Sequence, residues 1–157
     1  MFFKNVMVPY DESEHAMSAL HIALGMVGDD PAAEVHVVMI VAAGAIPTPS
    51  LMGGAFEDPF DNGTMMDYDN MMGAVIQRMR SDMERVVEDA RDGAQCKITV
   101  TARLATSPVE GIAEYVADNS VDLVVMGRRG LGALRGMLGS VSFGVLRSVD
   151  VPVLTVK

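Results

Sequence analysis

The sequence predicts an α/β fold: a single doubly wound domain with a five-stranded parallel sheet flanked by helices. Three observations carry the prediction. Short β-branched, apolar runs alternate with segments of helical periodicity along the whole chain, in the order β-α-β-α-β-α-β-α-β. Two of the runs, "EVHVVMIVAA" and "VDLVVMG", are apolar at almost every position, as strands covered on both faces must be. The 157 residues, half of them hydrophobic and 21% charged, suit one compact domain with a sizeable core.

The elements follow in order. "FKNVMVPY" reads as a first strand ending at Pro9. Ser13 is placed to cap a helix in which Ala16, Leu20, Ala23, Leu24 and Val27 recur at helical spacing, and "GDDP" at 28–31 ends it. Residues 34–43 form the second strand. The segment 44–70 holds three prolines, four glycines, several acids and scattered methionines, and reads as an irregular, mobile insertion. From Met72 the apolar residues 75, 76, 79, 83, 86, 87 and 90 trace an amphipathic helix. "CKITVTARL" (96–104) is a third strand, and Pro108 sits in the first turn of the next helix. "VDLVVMG" (121–127), a short helix over "SVSFGVLRSV" and a last strand, "VPVLTVK", complete the chain.

Composition excludes several functions. A formal net charge of −9 disfavours nucleic acid and anionic membrane as partners. The lone Cys96 cannot close an internal disulfide and points to a reducing compartment. The apolar start "MFFKNVMVPYDES" is interrupted too early for a secretory signal, and the stretch Val37 to Ile46 is far short of the roughly 20 residues of a spanning helix. These features predict a cytoplasmic protein.

The chemistry-bearing stretch is "GRRGLGALRGMLGS" (127–140), directly after the fourth strand. Gly127 and Gly130 bracket a turn in which peptide N–H groups approach an anion with no Cβ in the way. Gly139 and Ser140 open a helix whose free N–H groups, with the Ser140 hydroxyl, form a second anion cradle. The 27 residues 123–149 contain four arginines (128, 129, 135, 147) and no acid, a basic island in an acidic chain. The lysine-bearing P-loop and the GxGxxG fingerprint are both absent. So are the GxSxG elbow and HExxH zinc spacing, and His15, His21 and His36 read as structural. The methionines at 52, 65, 66, 71, 72, 79 and 83 read as an adaptable apolar surface for a protein partner. The acidic fragments "EDPFDN" and "DYDN" lack Ca²⁺-loop spacing.

"MVPYDESEHAMSAL" and the C-terminal block "VDLVVMGRRGLGALRGMLGSVSFGVLRSVDVPVLTVK" resemble the universal stress protein family over essentially the whole chain apart from 44–70. The glycine stretch is similar to the G-x2-G-x9-G-[ST] motif of the ATP-binding branch, in a G-x2-G-x8-G-S form. The resemblance implies an ATP site with Mg²⁺. Pro9, Tyr10 and Asp11 would meet the nucleotide after the first strand, with the Ile40 backbone at the adenine. Met126, Gly127, Arg129, Gly130, Gly139, Ser140, Val141 and Ser142 would hold the ribose and phosphates. Glu12 stands where the family commonly has glycine. A homodimer through the C-terminal strand, Val151 to Val156, is implied as well, and covers an edge that would otherwise be open.

The function expected is therefore a dimeric, ATP-binding stress-response module. No motif positions a general base, so at most slow hydrolysis is expected. Two alternatives stay open: a dimeric interaction protein that binds no nucleotide, and a slow ATPase or phosphotransferase.

Overall fold

A computed structural model describes residues 2–45, 62–130 and 138–157. Five parallel strands lie in the order β3-β2-β1-β4-β5. They are β1 (Asn5–Pro9), β2 (Glu34–Ala42), β3 (Lys97–Ala105), β4 (Leu123–Gly127) and β5 (Val153–Val156). Four helices connect them: α1 (Glu14–Val27), α2 (Asn62–Ala90), α3 (Pro108–Asp118) and α4 (Ser140–Ser148).

The period-two alternation of the strands divides the core. Val35, Val37, Met39 and Val41 of β2 face α1 and α2, where they meet Leu20, Leu24, Met83 and Val87. Val38 and Ile40, with Met7, Val124 and Met126 from the neighbouring strands, face α3 and α4, where they meet Ile112, Tyr115 and Val145. Helices on both faces are what a near-continuous apolar strand requires.

Local signals position the elements. The Ser13 hydroxyl accepts the Ala16 N–H at 3.1 Å and starts α1. Ser107 does the same for α3 through the Glu110 N–H, with Pro108 at the first helical position, where a missing N–H costs nothing. The Asp122 carboxylate, just before β4, accepts the Lys4 and Asn5 N–H groups at 2.7 and 3.1 Å and pins the start of β1 beside β4. Cys96 is buried in the core immediately before β3, and burial pushes its thiol pKa up, so it stays an unreactive thiol.

Two elements differ from the sequence reading. The fifth strand covers only Val153–Val156, because Pro152 has no N–H to donate to the ladder. The larger correction concerns the insertion. Helix α2 begins at Asn62, ten residues before Met72, so 62–70 is helical rather than irregular. Met65, Met72 and Met79 continue the seven-residue recurrence upstream. Extending a nucleated helix gains one hydrogen bond per residue, which outweighs the poor propensity of "NGTMMDYDN". The remainder of the insertion, 46–61, lies outside the described residues. Among those described, no helix is long and apolar enough to cross a membrane.

Candidate functional site

Strand β1 has β2 on one side and β4 on the other, so the crossovers leave β1 and β4 in opposite directions. Such a switch point leaves a crevice beyond the strands' carboxyl ends. A cavity of about 510 Å³ lies there, within the size range of small-molecule sites. All twelve residues expected from sequence at a nucleotide site line this one cavity: Pro9, Tyr10, Asp11, Ile40, Met126, Gly127, Arg129, Gly130, Gly139, Ser140, Val141 and Ser142.

The β2–α3 side is apolar, with Val38, Ile40, Pro108 and Ile112. Helix α3 approaches β2 closely enough there that a Cβ on Gly111 would lie 2.7 Å from the Ile40 and Ala105 side chains. The β4–α4 side is polar. The first turn of α4 has no side-chain cap, and the first helical bond of that turn is Phe143 N–H to Gly139 C=O at 2.9 Å. The N–H groups of Ser140, Val141 and Ser142 therefore precede the intrahelical ladder, on a segment that lines the cavity. Their dipoles favour an anion.

The glycine-rich excursion is closed at its neck. The Gly139 N–H donates to the Arg128 carbonyl at 2.9 Å, and the Arg128 N–H donates to the Val156 carbonyl at 2.6 Å. The Ser142 hydroxyl, 3% exposed, donates to the Gly127 carbonyl at 2.9 Å and lies 3.2 Å from the Arg128 carbonyl. It holds α4 against the end of β4, which leaves Ser142 its backbone N–H as the donor it can offer a ligand. Gly127 and Gly130 converge with Gly139 and Ser140 across this neck although the gap between Gly130 and Gly139 has eight residues.

The basic island separates in space. Arg129 lines the cavity. Arg147 lies in the last turn of α4 with its guanidinium 5.6 Å from the centre of the Phe143 ring, a cation–π contact away from the cavity lining. Arg128 does not line the cavity, and Arg135 lies outside the described residues.

At the β1 rim, the Asp11 Oδ1 accepts the Ser13 N–H at 3.1 Å and the Ser13 hydroxyl at 2.5 Å. Asp11 thus braces the cap of α1, while its other oxygen stands where a Cβ on Gly130 would push against it. Burial, reinforced by Glu12 and Asp11, pushes the Tyr10 phenol up, so it remains a neutral hydroxyl at neutral pH. Glu12 has φ 65°, the left-handed region that favours glycine. Glu12→Gly is expected to raise stability by about 1 kcal/mol, since the strain relieved exceeds the added chain entropy. Thermal unfolding checks this: a rise of about 2–4 °C is expected, and a fall would mean that a Glu12 contact compensates the strain.

Sequence reasoning missed Ala16, Val38, Pro108, Ile112 and Leu138, which also line the cavity. Val38 and Ile112 are indistinguishable from core residues along the chain. Pro108 carried a signal, as a helix start after a strand, which is where switch-point walls arise. Among the described residues, no group of three or more His, Cys, Asp or Glu is placed to hold a metal ion.

Fold and cavity define a doubly wound α/β protein with a ligand-sized crevice at its switch point. The chain belongs to the universal stress protein family, whose family model matches residues 2–157. It is 27% identical over 157 residues to a universal stress protein of Thermus aquaticus encoded in the QAH/OAS sulfhydrylase 3′ region, covering 99% of each chain. Its fold is similar to that of the hypothetical protein MJ0577, with TM-score 0.78 and 21% identity over 100% of this chain and 97% of the other. It is also similar to a universal stress protein solved in complex with cAMP (TM-score 0.61, 20% identity, 99% and 98% covered). A further similar fold is the universal stress protein of Archaeoglobus fulgidus in complex with dAMP (TM-score 0.56, 16% identity, 100% of both chains).

Proposed function

We propose that this protein is a nucleotide-binding regulatory module, with ATP as the ligand. The observation that carries the reading is the composition of the switch-point cavity. An apolar wall of Val38, Ile40 and Ile112 suits a planar base, and the α4 amides, Gly130 and Arg129 suit phosphates. The cAMP and dAMP complexes of two relatives support nucleotide recognition in general. Mg²⁺ would arrive on the phosphates rather than in a protein cage, since Asp11 is the one acid among the described residues that line the cavity. Asp11, the acid among the described cavity residues, already accepts two hydrogen bonds from Ser13, and the reading is of a module that reports occupancy rather than turning ATP over rapidly.

A homodimer through β5 belongs to the same reading. Strand β5 is the sheet edge, and Leu154 on it is exposed together with Phe143 and Leu146 of α4. Pairing two copies of the edge about a two-fold axis would satisfy the unpaired peptide groups and bury these side chains.

Nucleotide content tests the ligand. The chain has no tryptophan and three tyrosines, so a bound adenine dominates the near-ultraviolet spectrum. Protein purified without added nucleotide is expected to absorb in excess near 260 nm and to release ATP on denaturation, and stripped protein to bind ATP in calorimetry. Stripped, folded protein that takes up no ATP at millimolar concentration would remove the nucleotide reading. Light scattering reads the dimer separately.

A further inference from the structure

His36 is the one histidine among the described residues that is buried, at 6% exposure, on the face of β2 covered by α3. Its Nδ1 lies 3.1 Å from the Tyr115 hydroxyl of α3, and the two rings meet edge to face with centroids 5.8 Å apart. Its Nε2 is buried and has no hydrogen-bond partner among the described residues. A neutral imidazole tolerates this, because Nε2 can be the bare acceptor while Nδ1–H donates to Tyr115. An imidazolium must donate from both nitrogens, and Nε2–H then has nowhere to donate.

The surrounding charges do not cure the defect. On the same strand, the Glu34 Oε1 lies 3.8 Å from Nδ1, but it already accepts from the Thr99 hydroxyl at 2.5 Å and from the Lys97 ammonium at 3.0 Å, both on β3. The register partner on β1 is the uncharged Met7. On α3, Glu114 and Asp118 pair with Arg103 of β3, at 3.2 and 3.9 Å. Glu34 therefore attracts a protonated ring away from Tyr115 and leaves Nε2 unsatisfied.

We propose that His36 and Tyr115 form a proton-operated latch: with His36 neutral the latch holds α3 on the sheet, and mild acidification releases α3 and with it one wall of the cavity. Ile112 of the cavity wall is one turn before Tyr115 on the same helix, and Val38 is the next residue along β2 on the face that carries His36. The latch goes beyond nucleotide binding and stands whether or not the cavity takes ATP. Burial pushes the His36 pKa down, Glu34 opposes the shift and Lys97 adds to it. A lowered folded-state pKa means that the closed form loses stability as pH falls below the ~6.5 of a free imidazole. The limiting loss is about tenfold in the closed:open ratio per pH unit, one proton being taken up from water on opening.

Amide hydrogen exchange on the whole protein tests this, between about pH 7.5 and 5.5, either side of the unperturbed imidazole value. In the wild type, protection factors of residues 111–116 in α3 are expected to fall, by up to about tenfold, while those of residues 19–24 in α1 hold. In His36→Gln, which cannot titrate in this range, the pH dependence in α3 should vanish. Equal loss in α1 and α3 of the wild type, no loss in α3, or an unchanged pH dependence in His36→Gln would overturn the latch. Should His36→Gln fail to fold, the wild-type comparison of α3 with α1 decides alone.

Discussion

Gly139→Val is expected to weaken ATP binding by at least about 100-fold while leaving the protein folded and its oligomeric state unchanged. A Cβ at Gly139 meets the Arg128 carbonyl and Arg129 Cα at 3.4 Å and the Ser142 Oγ at 3.6 Å, all ordinary contacts. The backbone, at φ −64° and ψ 153°, is one that valine adopts freely. Unfolding should therefore move by no more than about 2 °C. The isopropyl group would instead occupy the space from which the α4 amides are approached. Losing one or two hydrogen bonds to a charged phosphate costs about 1.5–3 kcal/mol each, which sets the expected factor. Calorimetric titration of the variant beside the wild type checks it, and undiminished affinity would remove the first turn of α4 from the site.

Gly127→Ala is expected to act on the fold instead. Its Cβ would lie 2.7 Å from the His15 Cβ, 2.9 Å from the His15 carbonyl carbon and 3.1 Å from the Arg129 carbonyl oxygen. Two of these three are backbone atoms, and His15 belongs to a helix fixed by the Ser13 cap and six buried residues. Overpacking against atoms that cannot turn aside costs about 2–3 kcal/mol, a fall of about 5–10 °C in the midpoint of thermal unfolding. Gly130→Ala should cost less, because among the described residues its Cβ would meet only the Asp11 carboxylate, which can shift at the expense of its hydrogen bonds to Ser13. A Gly127→Ala midpoint within 2 °C of wild type would show that α1 retreats from β4 at little cost. Two glycines of one motif thus have separate physical reasons: Gly127 admits a helix, and Gly139 keeps access to the cavity.

The fold was legible where local chemistry and periodicity agree. Ser13 and Ser107 cap the helices that the apolar spacing demanded, and the near-continuous apolar β2 called for covers on two faces. The start of α2 was not legible, because Gly63, Asp67 and Asp69 are poor helix formers and the propagation that overrides them leaves no mark on single residues. The polar half of the cavity could be read from glycines and arginines, since unusual composition at a strand end is visible along the chain. The apolar half could not: Val38 and Ile112 differ from core residues only in lying beside a crevice, which is a fact of topology. The charge of the basic island was visible and its direction was not, as Arg129 turns to the cavity and Arg147 to Phe143. The role of Ser142 also emerged only in three dimensions, because its acceptors lie fourteen and fifteen residues away.

The bond from the Gly139 amide to the Arg128 carbonyl joins the two ends of the glycine-rich motif directly, whatever the number of residues counted between them. With the two ends joined, a change in the number of residues between them costs closure entropy of about 0.6 kcal/mol per doubling of length. The count between the second and third motif glycines is then a loose ruler for nucleotide binding.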